Sequence, residues 1–274
     1  MFVELKTPPN PLQHSTVSVF FAEGCTDVGR VRESNQDNYL VSTQMGLFVV
    51  ADGMGGRAGG EVASQLAVET IGNEVERHLD RLLESEERSV LNFFSSAINK
   101  ASLRIYERSL ELPQFRGMGT TATLVWIPPQ EHQVGSDLTD SSQRTATIAH
   151  VGDSRCYLCR SGLLFQLTDD HSLVNEQIKA GVLDHRDPLI SQIRNVITRC
   201  VGYQEDEEVD TTCLTLCSGD RLLLCSDGLS TKVTDEEIRA ALMQEHAEGV
   251  AAELTALANE RGGDDNITVI VVAL

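Results

Sequence analysis

Four aspartates stand at the ends of apolar runs. Asp52 follows Leu47-Phe48-Val49-Val50-Ala51 and precedes Gly53. Asp153 follows Ile148-Ala149-His150-Val151-Gly152. Asp227 follows Leu222-Leu223-Leu224-Cys225-Ser226 and precedes Gly228, and Asp265 precedes Asn266 and the closing run Ile267–Val272. Asp and Gly are common turn residues, so one Asp-Gly corner carries little information. Four acids, each next to a run apolar enough to be a buried strand, carry more. Strand ends are fixed in space, and glycine lets a ligand approach the backbone. If the ends converge, their carboxylates share a small volume only with cations or with protons. No His or Cys accompanies them at ligand spacing, and an all-oxygen site suits Mg²⁺ or Mn²⁺ rather than Zn²⁺. An EF-hand loop is excluded, because no twelve-residue stretch has alternating acids ending in Glu. Two hard cations between bridging carboxylates suit attack on a phosphate ester. They lower the pKa of a shared water and offset charge on the entering and leaving oxygens. The residues thus point to a two-metal phosphate-ester hydrolase and leave its substrate open.

The elements that must position these acids are legible as periodicities. Strand-like runs recur at Leu47–Ala51, Thr121–Ile127, Thr145–Val151, Leu163–Leu167, Arg221–Cys225 and Ile267–Val272. The polar stretch Pro128 to Gln143 reads as a hairpin loop. Helical spacing of apolar residues runs from Gly60 to Leu79 and from Arg88 to Leu110. Thr234-Asp235-Glu236-Glu237 is a capping box for a helix through Met243. Val250, Leu254 and Leu257 mark a further helix ending near Gly262, and a short helix is expected near residue 175. Strands and helices segregate rather than alternate, which indicates an α+β layered domain. Residues 1–14, with three prolines, read as a loose tail before a single domain over 15–274.

Composition narrows the classes. The 274 residues carry 22 Lys and Arg against 41 Asp and Glu, a net charge of −19. Such a balance disfavours nucleic acid as a partner. No run of 18 apolar residues suggests a membrane span, no signal peptide is evident, and a cytoplasmic monomer is expected. Seven Cys show no disulfide spacing. Cys156 and Cys159 fall three apart on a strand, so their thiols face opposite ways. Cys213 and Cys217 would lie about 13 Å apart on one face. Gly53-Met54-Gly55-Gly56-Arg57-Ala58 fits a dinucleotide-binding turn, but only once, directly after an acid and without alternating parallel units around it.

Taken together, these blocks resemble a family. Thr26-Asp27-Val28-Gly29-Arg30-Val31-Arg32-Glu33-Ser34-Asn35-Gln36-Asp37 is similar to the opening motif of the metal-dependent protein phosphatases (PPM, type 2C). Ala51-Asp52-Gly53-Met54-Gly55-Gly56, Gly117-Met118-Gly119-Thr120-Thr121, His150-Val151-Gly152-Asp153-Ser154-Arg155, Leu167-Thr168-Asp169-Asp170-His171-Ser172, Cys225-Ser226-Asp227-Gly228-Leu229 and Gly263-Asp264-Asp265-Asn266-Ile267-Thr268 follow in family order. The resemblance implies a four-layer αββα sandwich of two antiparallel sheets flanked by helices. It also implies a protein serine/threonine phosphatase acting on phosphoprotein substrates and opposing a bacterial serine/threonine kinase. In that pattern Asp52 bridges two Mn²⁺ or Mg²⁺ ions, the Gly53 carbonyl binds one, and Asp227 and Asp265 bind the other. Asp153 and Asp227 hold a weaker third ion, with Asn195 as a further contact in the flap near 175–200. Arg32 grips the phosphate, a task suited to a guanidinium. Asp37 orients metal-bound waters, and water attacks phosphorus in line without a phosphoenzyme. Two positions depart from many members. Met54 replaces a His proposed as general acid, so water must protonate the leaving group. Gln36 replaces a Glu and can bond a water only without charge. His171 reads as a local structural residue.

Overall fold

The computed structural model describes residues 20–129, 143–184 and 187–274. The 1–14 tail and most of the 128–143 loop lie outside them.

Two antiparallel sheets stack face to face. One has the order β1 (Phe21–Asp27), β11 (Ile267–Ala273), β10 (Arg221–Cys225), β7 (Arg155–Arg160), β8 (Leu163–Gln166). The other has the order β2 (Asp37–Ser42), β3 (Leu47–Met54), β5 (Ala122–Trp126), β6 (Gln143–Val151), β9 (Asp210–Cys217), and β4 (Gly119–Thr120) adds to the end of β3. Long helices α1 (Gly56–Leu83) and α2 (Glu87–Glu111) cover the second sheet. Helices α6 (Asp235–Leu242) and α7 (Val250–Glu260) cover the first. Three short helices, α3 (Leu173–Lys179), α4 (Ile190–Ile193) and α5 (Asp227–Ser230), lie in the connections.

The strand period of two sorts the core into three layers. Leu47, Val49 and Ala51 of β3 pack under α1 and α2, while Phe48 and Val50 pack between the sheets. In β10, Leu223 and Cys225 face α6 and α7, and Leu222 and Leu224 face inward. Central strands buried on both faces appear as unbroken apolar runs, which is why they were legible. Burying a side chain such as Phe48 stabilises by about 1.5–3 kcal/mol. Cys156 faces the sheet interface and Cys159 the helices, on opposite sides as expected, and all seven cysteines are free. Every strand pair is antiparallel. The glycine-rich turn after β3 therefore sits outside any parallel dinucleotide unit.

The structure corrects some boundaries. α1 starts at Gly56 rather than Gly60, although glycine disfavours helix. The turn is glycine because Met118 packs against it: a Cβ on Gly55, at φ +130°, would lie 2.6 Å from the Met118 Cα. Edge strands β1, β2 and β9, partly exposed, lack the continuous apolar run and were not singled out. The capping box forms as expected, with Thr234 accepting the Glu237 N–H and Glu237 accepting the Thr234 N–H. No helix among the described residues is long and apolar enough to cross a membrane.

Candidate active site

The strand ends converge. Asp52, Gly53, Asp153, Asn195, Asp227 and Asp265 line one cleft of about 1240 Å³, with Arg32, Gln36 and Met54 on its walls. Backbone contacts position Asp52, Asp153 and Asp227.

Asp52 ends the apolar part of β3. Its N–H donates to the Thr121 hydroxyl (2.9 Å), and its carbonyl accepts the Thr121 N–H (2.8 Å) and the Thr120 hydroxyl (2.9 Å). The next position must be glycine, because a Cβ on Gly53 would lie 2.1 Å from the Gly60 carbonyl oxygen. Asp227 opens α5, and a Cβ on Gly228 would lie 2.0 Å from the Asn266 carbonyl oxygen. That contact locks the Asp227 corner against the Asp265-Asn266 corner. Asp153 is buried after Gly152. The Gly152 N–H donates to the His171 Nδ1 (3.1 Å), and its carbonyl accepts the His171 N–H (2.7 Å). His171 is thus the structural residue expected, and what it supports is the Asp153 loop.

Asp37 stands directly across the β2–β3 ladder from Asp52, a like-charge pairing that opposes folding. It is buried, and it is not among the groups lining the cleft. Its Oδ2 accepts the Ser226 hydroxyl (2.8 Å) and the Thr268 hydroxyl (2.6 Å), which ties the two sheets together. Gln36 donates from Nε2 to the Gly56 carbonyl (2.7 Å), and its own carbonyl accepts the Gly53 N–H (3.1 Å). Its side chain therefore braces the glycine turn. Arg32 donates to Asp265 Oδ2 at 2.6 Å, so the cation expected to meet phosphate already lies among the acids.

The carboxylates oppose one another. Burial, followed by repulsion from Asp37, Asp227, Asp153 and Asp265, drives the Asp52 carboxyl well above the usual range. Burial pushes Asp37 up to about 7 against the pull of its Thr268 and Ser226 hydrogen bonds. Burial and then Asp227 push Asp153 up to about 7. Burial and then Asp265 push Asp227 up to about 6, with Arg32 opposing. Among the described residues, no three His, Cys, Asp or Glu side chains are drawn together tightly enough to hold an ion as they stand. The expected gathering of oxygens is therefore only a shared cleft. Like charges keep apart until a cation draws them in, and Asp265 is turned to Arg32.

The donor set nevertheless fits hard divalent ions. Asp37 Oδ1 and Asp153 Oδ1 are buried without a hydrogen-bond partner, a costly state for polar atoms. Every side-chain donor of the set is oxygen, which suits Mg²⁺ or Mn²⁺.

Asn266 escaped the sequence reading. Its Nδ2 donates to the Val28 and Ser34 carbonyls (2.9 and 3.0 Å) and its Oδ1 accepts the Gln36 N–H (2.8 Å). It thereby shapes the loop bearing Arg32. Thr121, Ser226 and Thr268 also escaped. Their signal was adjacency to an acid within a block, which does not by itself separate a brace from a spacer.

Comparison with known proteins identifies the family. Residues 29–262 match the family described as Protein phosphatase 2C. The chain is 34% identical over 255 residues to the serine/threonine phosphatase stp of Listeria monocytogenes, covering 92% of this chain and 94% of that one. It superposes on the Mycobacterium tuberculosis serine/threonine phosphatase PstP/Ppp with TM-score 0.77 and 32% identity, over 93% of this chain and 98% of that one. A crystal structure of the catalytic domain of the serine threonine protein phosphatase PstP in complex with two manganese ions matches with TM-score 0.75 and 31% identity, over 93% and 97%.

Proposed function

We propose a mechanism that starts from one fact: the chain belongs to the protein phosphatase 2C family and is a metal-dependent serine/threonine phosphatase. Asp52, the Gly53 carbonyl, Asp227 and Asp265 would hold two divalent ions, Mn²⁺ or Mg²⁺, and Asp153, Asp227 and Asn195 would hold a weaker third. When bound, such ions activate water and neutralise charge on the phosphoryl oxygens. The observation that carries the reading is the set of mutually repelling carboxylates in one cleft, two of whose neighbouring buried oxygens have no partner.

The chain's own groups account for the rest. Arg32 meets the substrate phosphate with a planar guanidinium, from a loop that Asn266 fixes. In the metal-free protein its bond to Asp265 holds it at the cleft. Asp37 acts from behind the cleft, positioning Ser226 and hence the Asp227 corner. The phosphoryl acceptor is water. Cys200, the cysteine lining the cleft, has its thiol pushed up to about 11 by burial, so it is not a thiolate at neutral pH. His150 and His171 are buried off the cleft. Met54 has no proton to give, so the leaving hydroxyl takes its proton from water. A phosphoserine or phosphothreonine exists only where a kinase has made it, and the enzyme opposed is a serine/threonine kinase of the same cell.

A single-turnover reaction on a phosphothreonine peptide in ¹⁸O-water with Mn²⁺ tests this reading. One ¹⁸O should enter each phosphate released, with no acid-stable phosphoprotein trapped on quenching. A labelled phosphoenzyme would refute direct attack by water.

A further inference from the structure

The cleft contains acids that the reaction does not need. Glu207 and Glu33 line it, and neither belongs to the set suited to the ions. A substrate phosphate carries about −1.5 to −2 charges at neutral pH. Further carboxylates beside it lower affinity unless the substrate brings a cation as well.

The wall that carries Glu207 also carries Tyr203, which is 69% exposed. This segment is pinned to α2. Ser102, fully buried, accepts the Gly202 N–H (2.8 Å) and donates to the Gln204 carbonyl (2.8 Å). Asn99 accepts the Glu207 N–H (2.7 Å). Gly202 is at φ +96°, and a Cβ there would lie 2.2 Å from Ile105 Cγ2. The backbone is thus fixed, while the Tyr203 ring stays open on the cleft. A rigid loop that presents an exposed aromatic and a carboxylate to one cleft loses little entropy on binding. The pair also suits a cationic side chain, whose charge is drawn to both a ring face and a carboxylate.

We propose that Tyr203 and Glu207 form a substrate subsite that takes an Arg or Lys side chain near the phosphorylated residue. The proposal rests on the phosphatase reading and adds a substrate class to it: phosphosites in basic sequence. Desolvation pushes the Glu207 carboxyl above its ordinary range against the pull of Gln204 and Arg199.

The test compares kcat/KM for two phosphothreonine peptides at low ionic strength with Mn²⁺, identical except that Arg residues flank the phosphosite in one and Gln residues in the other. The wild-type protein should prefer the Arg peptide about tenfold, roughly the effect of a partly desolvated charge pair. Glu207→Gln should bring the ratio down to about three, the share the ring retains, and Glu207→Lys should invert it. Tyr203→Ala should lower the ratio about threefold and Tyr203→Phe should keep it, since the ring face is what matters. Turnover of both peptides at equal kcat/KM by the wild type, or an unchanged ratio in Glu207→Gln, overturns the subsite and leaves the phosphatase reading standing. Turnover of neither peptide overturns the reading beneath it.

Discussion

Asp220 and Asp227 flank the same strand, β10, and the protein treats them in opposite ways. Asp220 is 2% exposed, and it is met by Arg160 through two hydrogen bonds (2.9 and 2.5 Å) and by the Cys217 N–H (2.7 Å). The chain supplies the cation, so the acid is finished on folding. At the other end Asp227 shares a cleft with Asp52, Asp153 and Asp265, and the bonded cation there is Arg32, on Asp265. Between these extremes lies Asp170, paired with Arg155 at 2.6 Å close to Asp153. A buried acid with an internal cation is structure. Buried acids that face one another are a site waiting for a charge the sequence does not encode.

Substitutions at the two ends should therefore have crossed effects. Asp52→Ala or Asp227→Ala should lower kcat by at least about 10³-fold, the scale of losing a preorganised charge-stabilising group, while circular dichroism stays unchanged. Asp220→Ala should retain turnover but lose roughly 3 kcal/mol of stability, because half-buried Arg160 loses its anionic partner and keeps only the Thr215 carbonyl. Urea unfolding and peptide assays read both. Equal loss of stability at the two ends would erase the distinction.

The pH dependence of the metal-free protein sharpens the contrast. Asp37 and Asp153 are raised to about 7 and Asp227 to about 6 in the fold, from 3.8 in the unfolded chain. A raised carboxyl pKa contributes stability that is complete below the unfolded value and lost as pH rises through the folded one. In EDTA, Tm should therefore fall between pH 5 and 8, and Asp52→Asn should fall less, so that their gap widens with pH. Added Mn²⁺ should flatten the wild-type curve more than that of Asp52→Asn. Parallel curves in EDTA would mean that the acids do not interact.

Smaller effects should follow at Arg32 and His150. Arg32→Ala should raise KM for phosphopeptides about tenfold, on the scale of a charge-assisted hydrogen bond; an unchanged KM would remove it from phosphate binding. His150 is held down to about 4 by burial and then by His171. Its contribution is complete above its unfolded value of 6.5 and is lost as pH falls through about 4. In Mn²⁺-free buffer His150 should offset part of the stability the acids gain between about pH 6.5 and 4, so that His150→Gln gains more than the wild type over that range.

The same contrast explains what the sequence made legible. Runs such as Leu222–Cys225, buried on both faces, declare themselves as strands, and so the acids at their ends stood out. β1 and β2 did not declare themselves, because Gly24 there leaves room for the Tyr39 ring, 2.5 Å from where a Cβ would stand, and because Asp37 is a buried acid inside a strand. Asp37 also accepts the Ser226 and Thr268 hydroxyls from the other sheet, and no local spacing encodes a bond across 189 or 231 residues. The bond from the Gln36 amide to the Gly56 carbonyl was equally hidden. The link between Arg32 and Asp265 spans 233 residues and was equally invisible.

We propose that the acids gathered at the Asp227 end of β10 are built for ions. An anomalous difference map from crystals grown in Mn²⁺ tests it most directly. Two strong peaks should appear, bonded to Asp52, the Gly53 carbonyl, Asp227 and Asp265, with Asp265 turned away from Arg32. A cleft without anomalous signal, with the Arg32–Asp265 pair intact at saturating Mn²⁺, would contradict it.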